Sequence, residues 1–183
     1  TMDVVEIDPA MTMLAKKYFR LEDDPRLTTY NEDARVFLNK TEKKYDVIFG
    51  DAFNSFSSIP YQLTTVEAVK KEYDTLNENG LVIVNIISSI INPTGNFLRA
   101  EYKTYTSVFP QVYVFPVQYA DFGNLVQNII LVALKSDIKP SLRSSDPELD
   151  GYLKHIWSNP ITDDMPILTD DYAPVDYYHY LLA

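Results

Sequence analysis

Three acidic residues stand where apolar runs give way to polar turns: Glu6 at the end of "VVEI", Asp33 ahead of "ARVFL", and Asp51 after "YDVIFG". A carboxylate at the end of a strand can accept hydrogen bonds from sugar hydroxyls, stabilise a helix start, or take a proton from an amine. For Glu6, two readings stand: a partner for ribose hydroxyls, or a surface acid held by the helix macrodipole. Asp8 reads as an N-cap with Pro9 at the first helical position. Asp33 either caps the next helix or lies by an adenine amino group. Both hold if its side chain caps while Ala34 donates its backbone N–H. Asp51 opens the loop "AFNSFSSIP" and either shapes a turn or binds a cationic amine and takes its proton.

Other chemistries find little support. The two histidines, His155 and His179, have no metal-ligand spacing, and no serine sits in a nucleophile elbow. With no cysteine there is neither a disulfide framework nor a thiolate zinc site, which fits a cytoplasmic location. The net charge of −10 argues against nucleic acid, since the longest basic cluster, "KTEKK", is interrupted by Glu42. An acidic surface suits cationic ligands or simply solubility. No apolar run is long enough to span a bilayer.

The elements that must position these acids follow from periodicity. "DVVEI" (3–7), "RLTTY" (26–30), "YDVIF" (45–49) and "LVIVNII" (81–87) read as strands, the last two as buried ones. A helix follows Asp8, with Met11, Leu14, Ala15 and Tyr18 on one apolar face, and a shorter one follows Asp33. A longer helix is expected to start at a capping box of Thr64 and Glu67. It would bury Val66, Val69, Tyr73 and Leu76 and end at Asn79-Gly80. Residues 93–109 read as a helix, and "QVYVFPV" (111–117) with "NIILVALK" (128–135) as an antiparallel closing pair. Beyond these lie a loop, a short helix and an irregular aromatic tail. Alternating strands and helices imply an α/β fold with a mostly parallel sheet, whose ligands bind beyond the carboxyl ends of the strands. Glu6, Asp33 and Asp51 then lie along one rim. Residues 1–136 are expected to form this α/β domain and 137–183 a C-terminal extension packed on it.

In this order, the segments "VVEIDPAMTMLAKKYF", "DPRLTTYNEDARVFL", "YDVIFGDAF", "SIPYQLTTVEAV", "LNENGLVIVNI" and "LTDDYAPVDY" resemble the spermidine synthase family of polyamine aminopropyltransferases. The likeness is greatest to its bacterial spermidine synthase-like branch, some members of which are fused to membrane transporters. The resemblance implies a class I methyltransferase-like Rossmann fold. It also implies transfer of an aminopropyl group from decarboxylated S-adenosylmethionine to a diamine such as putrescine, without a metal. S-adenosylmethionine or methylthioadenosine would be further ligands of the same site. By position, Glu6 would hold the ribose, Asp33 with Ala34 the adenine, and Asp51 would orient and deprotonate the amine. Asn54 stands where the family commonly has a second aspartate. For the tail, two readings stand: Tyr172 or Asp171 reaches the mouth of the site, or the tyrosine-rich tail is a packed segment or a dimer surface. A homodimer is expected from the resemblance alone, and membrane association only within a longer fused protein.

The family's earlier strand and glycine-rich turn have no counterpart before "VVEID", so an N-terminally truncated fold with unpaired strand edges is expected. Two other readings remain. One is a methyltransferase using S-adenosylmethionine, against which "GDAF" stands in place of an Asn/Asp-Pro-Pro-Tyr motif. The other is a non-catalytic ligand-binding pseudoenzyme.

Overall fold

In the computed structural model, which describes residues 1–52 and 59–180, the chain forms two compact units, Thr1–Glu42 and Lys43–Ala183. The first unit is built on two parallel strands, β1 (Met2–Glu6) and β2 (Leu27–Asn31), with Glu6 in register with Asn31. Helix α1 (Pro9–Tyr18) joins them. Asp8 caps it by accepting from the Ala10 N–H, and Pro9 occupies the first turn, where no N–H is needed. Met11, Leu14 and Tyr18 share a face as their spacing predicts, yet the face is exposed, and Met11 keeps 52% of its surface. Helix α2 (Ala34–Lys40) is capped by Asp33, which accepts from the Val36 N–H, and it buries Phe37 against the Tyr30 ring at a centroid distance of 4.9 Å.

The second unit is a four-stranded sheet of order β3-β4-β6-β5, where β3 is Tyr45–Gly50, β4 Leu76–Ser88, β5 Gln111–Pro116 and β6 Gln127–Leu134. β3 runs parallel to β4, whereas β6 and β5 close the sheet antiparallel, as the apolar runs at 111–117 and 128–135 predict. The core lies on one face of the central pair: Val82, Val84 and Ile86 of β4 stand opposite Ala133, Leu131 and Ile129 of β6, all buried. Helix α4 (Asn96–Thr106) adds Phe97, Leu98, Ala100 and Tyr105 to it. The C-terminal residues belong to this unit too, and Leu168, Val175 and Tyr178 are part of the same core. Two short helices, α5 (Pro147–Leu153) and α6 (Val175–Tyr180), fall in the segment whose periodicity is weak. Among the described residues no helix is long and apolar enough to cross a membrane.

The structure departs from the sequence expectation in three places. β3 is not buried on both faces. It lies at the edge of its sheet, and Phe49 keeps 68% of its surface exposed, because an apolar run specifies a strand but not what covers each face. Helix α3 (Val66–Thr75) is capped by Thr65, which accepts from the Ala68 N–H, rather than by Thr64. The Thr64 hydroxyl instead donates to the Tyr61 carbonyl of the preceding 3-10 turn, and Glu67 accepts from the distant Asp170 N–H.

The helix also ends at Thr75, before Asn79-Gly80. Leu76 opens β4, and the chain bulges before Leu81 rejoins the ladder opposite Val47. Asn79 is left-handed, with φ 61°, while Gly80 serves close packing, since a Cβ there would lie 3.0 Å from the Asn77 carbonyl. The correct cap is testable. Replacing Thr65 by Ala removes the α3 cap and should lower urea-unfolding stability by about 1–2 kcal/mol, whereas Thr64→Ala should cost less.

Candidate functional site

In the first unit Glu6 and Asp33 both stand at the carboxyl end of the β1–β2 pair. Glu6 is the last residue of β1, and Asp33 lies two residues past its register partner Asn31. The Asn31 amide donates to the Glu6 carbonyl at 2.8 Å and the Ile7 carbonyl at 3.2 Å, fastening the turn that follows β1. Glu6 folds onto the same turn, its Oε1 accepting from the Asp8 N–H at 2.9 Å, and is half-buried. Asp33 spends one oxygen on the Val36 N–H at 3.0 Å. Ala34 begins α2, and the N–H groups of a first helical turn have no partner four residues back. This end of the unit therefore presents two carboxylates next to two helix N-termini, an arrangement suited to hydroxyl and amino donors.

In the second unit Asp51 follows Gly50, the last residue of β3, and its side chain is exposed. The neighbouring strand supplies a fixed partner: Asn85 of β4 donates from Nδ2 to Asp51 Oδ1 at 3.1 Å. Asn85 is the lone polar residue inside "LVIVNII". It lies on the opposite face of β4 from Val84 and Ile86, and its side-chain Oδ1 is buried without a hydrogen-bond partner among the described residues. The sequence reading passed over Asn85, although a polar residue interrupting an apolar strand was a visible signal. Asn54 lies outside the described residues. Tyr172 is exposed in a tight turn whose N–H reaches the Thr169 carbonyl at 2.9 Å and the Thr169 hydroxyl at 3.0 Å. Burial pushes the Tyr178 hydroxyl up, and the adjacent Tyr172 phenol adds to the shift. Asp171 is exposed beside Tyr172.

The strongly perturbed carboxyls lie elsewhere, between α3 and α4. Burial raises Glu72 from 4.5 to about 7, even though the Tyr105 hydroxyl donates to it at 2.8 Å. Glu101, fully buried with neither oxygen partnered among the described residues, is pushed well above the carboxylate range by desolvation and by Glu72. Both are sealed from solvent, so they bear on stability rather than on ligand chemistry. Among the described residues no group of three or more metal-ligating side chains occurs.

A model of the spermine/spermidine synthase domain matches residues 1–138. A polyamine aminopropyltransferase of Vibrio vulnificus is 28% identical over 188 residues, covering 96% of this chain and 60% of the relative. A probable spermidine synthase from Corynebacterium glutamicum superposes with a TM-score of 0.66 at 23% identity, over 87% of this chain and 55% of that one. Human methyltransferase-like protein 13, in complex with SAH, gives a TM-score of 0.58 at 22% identity over 84% and 68%. These likenesses establish a class I methyltransferase-like Rossmann fold, and the chain spans a little over half the length of the first two relatives. The domain match takes in β1 through β6, with Glu6, Asp33 and Asp51 at their strand ends, and the chain belongs to the spermine/spermidine synthase domain family.

Proposed function

We propose that the protein transfers an aminopropyl group from decarboxylated S-adenosylmethionine to a diamine such as putrescine. Residues 1–136 would carry the transferase and 137–183 an extension of it. The observation that supports this most is the family match over residues 1–138, which contains all three strand-end acids. In this reading Glu6 accepts from the ribose hydroxyls, and Asp33 and the Ala34 N–H bracket the adenine edge. Asp51 receives the amine, with Asn54 and Tyr172 on the acceptor side.

The acceptor nitrogen is protonated near neutral pH and must lose that proton before its lone pair can attack. Asp51 takes it. The nitrogen then bonds to the propyl carbon beside the sulfonium, and the carbon–sulfur bond breaks with its electrons going to sulfur. Methylthioadenosine leaves neutral, so no acid is required. Holding Asp51 Oδ1 on Asn85 limits rotation of the carboxylate, a contribution of orientation rather than of charge.

Methylthioadenosine titrated calorimetrically into this chain tests the donor side. Saturable binding is expected. Glu6→Gln and Asp33→Asn should each weaken it roughly tenfold or more through loss of a charge-assisted hydrogen bond. Asn caps helices as well as Asp, so Asp33→Asn spares α2. Failure of the folded chain to bind would overturn the donor assignment. Methyl transfer from S-adenosylmethionine with no aminopropyl product would overturn the reaction.

A further inference from the structure

Asn85 has a polar companion on its face of the sheet. β4 and β6 run antiparallel with Asn85 opposite Ile130 and Ile87 opposite Asn128, and side chains directly opposite in such a pair share one face. Asn128 therefore lies on the face where Asn85 donates to Asp51 Oδ1 at 3.1 Å. It stands diagonally across from Asn85, about 7–8 Å away, with Ile87 and Ile130 flanking the line between them. Both isoleucines are half-buried, and so is Asn128, whose side-chain amide makes no hydrogen bond among the described residues. The Asn128 backbone is fixed. The Val117 N–H donates to its carbonyl at 3.0 Å, and the neighbouring Gln127 side chain is buried and closes the hairpin between β5 and β6, accepting from the Gln118 and Tyr119 N–H groups at 2.9 Å each.

We propose that Asn128 is a specificity-determining residue that receives the far nitrogen of the acceptor amine, while the attacking nitrogen lies at Asp51 and the methylenes between them cross Ile87 and Ile130. This assignment rests on the aminopropyl-transfer reading. β4 separates β3 from β6, and Asp51 is level with Asn85, two residues short of the Ile87–Asn128 pair. Two strand spacings and two residues along the strand put roughly 10–12 Å between the polar ends. A hydrogen bond of about 3 Å at each end leaves roughly 4–6 Å between the two nitrogens held there. One ammonium cannot meet both ends, whereas a linear diamine or a longer polyamine can. The far nitrogen keeps its proton and donates to the Asn128 amide oxygen, which is neutral and holds it less tightly than a carboxylate would.

The test compares putrescine with n-butylamine, the same carbon chain without the far nitrogen, by calorimetric titration into the full chain in the presence of methylthioadenosine. Asn128→Ala should weaken putrescine about tenfold and leave butylamine unchanged, because only the diamine loses a hydrogen bond from a charged group. Asn128→Asp should tighten putrescine several-fold by giving the ammonium a charged acceptor, with far less gain for butylamine. General damage to the fold would move both amines together, so equal changes, or none, would overturn the inference. A folded parent chain that binds putrescine no better than butylamine would overturn it as well. If Asn128→Ala did not fold, Asn128→Asp would decide alone: a gain confined to the diamine supports the assignment, and an equal gain or none removes it. Aminopropyl product is scored separately. The expected binding pattern without product would keep the diamine site and remove the reaction, whereas product formation insensitive to Asn128 would keep the reaction and remove Asn128.

Discussion

Asp51→Asn is expected to lower turnover by roughly 10²-fold or more, the usual contribution of a positioned general base. The substitution is nearly isosteric, and the new amide oxygen still accepts from Asn85 Nδ2, so the end of β3 keeps its geometry. What is lost is the negative charge that favours an ammonium and the ability to take its proton. The residual rate should climb with pH toward the intrinsic pKa of the amine, near 10, because solvent must then supply the deprotonated acceptor. Donor binding, read by methylthioadenosine titration, should not change. Asn85→Ala should cost less than Asp51→Asn, since it frees the carboxylate to rotate but leaves the base in place. Initial rates at pH 7 and pH 9 for both variants decide the matter, and unchanged turnover in Asp51→Asn would remove Asp51 from the mechanism.

Stability of the second unit is expected to fall as pH rises from about 4.5 to 7, the reverse of ordinary acid denaturation. Burial raises Glu72 from 4.5 to about 7 and pushes Glu101 up beside it, so the folded chain holds protons that the unfolded chain releases. Where the native state binds more protons, stability declines with pH. The Glu72 contribution is present in full below the unfolded value and is progressively lost up to about 7, a loss of about 3 kcal/mol. Asp164 works the other way: its hydrogen bond to Arg99 holds it below 3.8, and that contribution disappears only in stronger acid.

Trp157, the single tryptophan, lies in this unit and reports its unfolding by fluorescence. Urea curves should give a higher midpoint at pH 5 than at pH 8. Glu101→Leu should remove much of the difference and stabilise the protein at pH 8 by about 2 kcal/mol, since exchanging an unpartnered buried carboxyl for an apolar side chain is favourable. Glu101→Gln should gain less, because it leaves a buried amide without partners. A midpoint that rises from pH 5 to pH 8 would contradict the buried-acid assignment.

The succession of elements and the caps that start them are legible in the residues alone. Asp8 and Asp33 cap helices as read, Pro9 opens α1, and the strands fall within a residue or two of their apolar runs except at the start of β4. These features obey local rules of spacing, turn chemistry and side-chain capping, which act over a few residues. The strand-end positions of Glu6, Asp33 and Asp51 were legible for the same reason.

The tertiary structure alone decided what met across long separations. Asn85 meets Asp51 from 34 residues away, and Asp176 meets Ile59 from 117. The exposed face of β3, the early end of α3 and the burial of Glu72 and Glu101 likewise depend on which surfaces the sheet and helices cover. Glu72 and Glu101 show the reason most plainly. By residue type both belong in water, and only the closing of α3 on α4 around Tyr105 makes them interior acids that keep their protons.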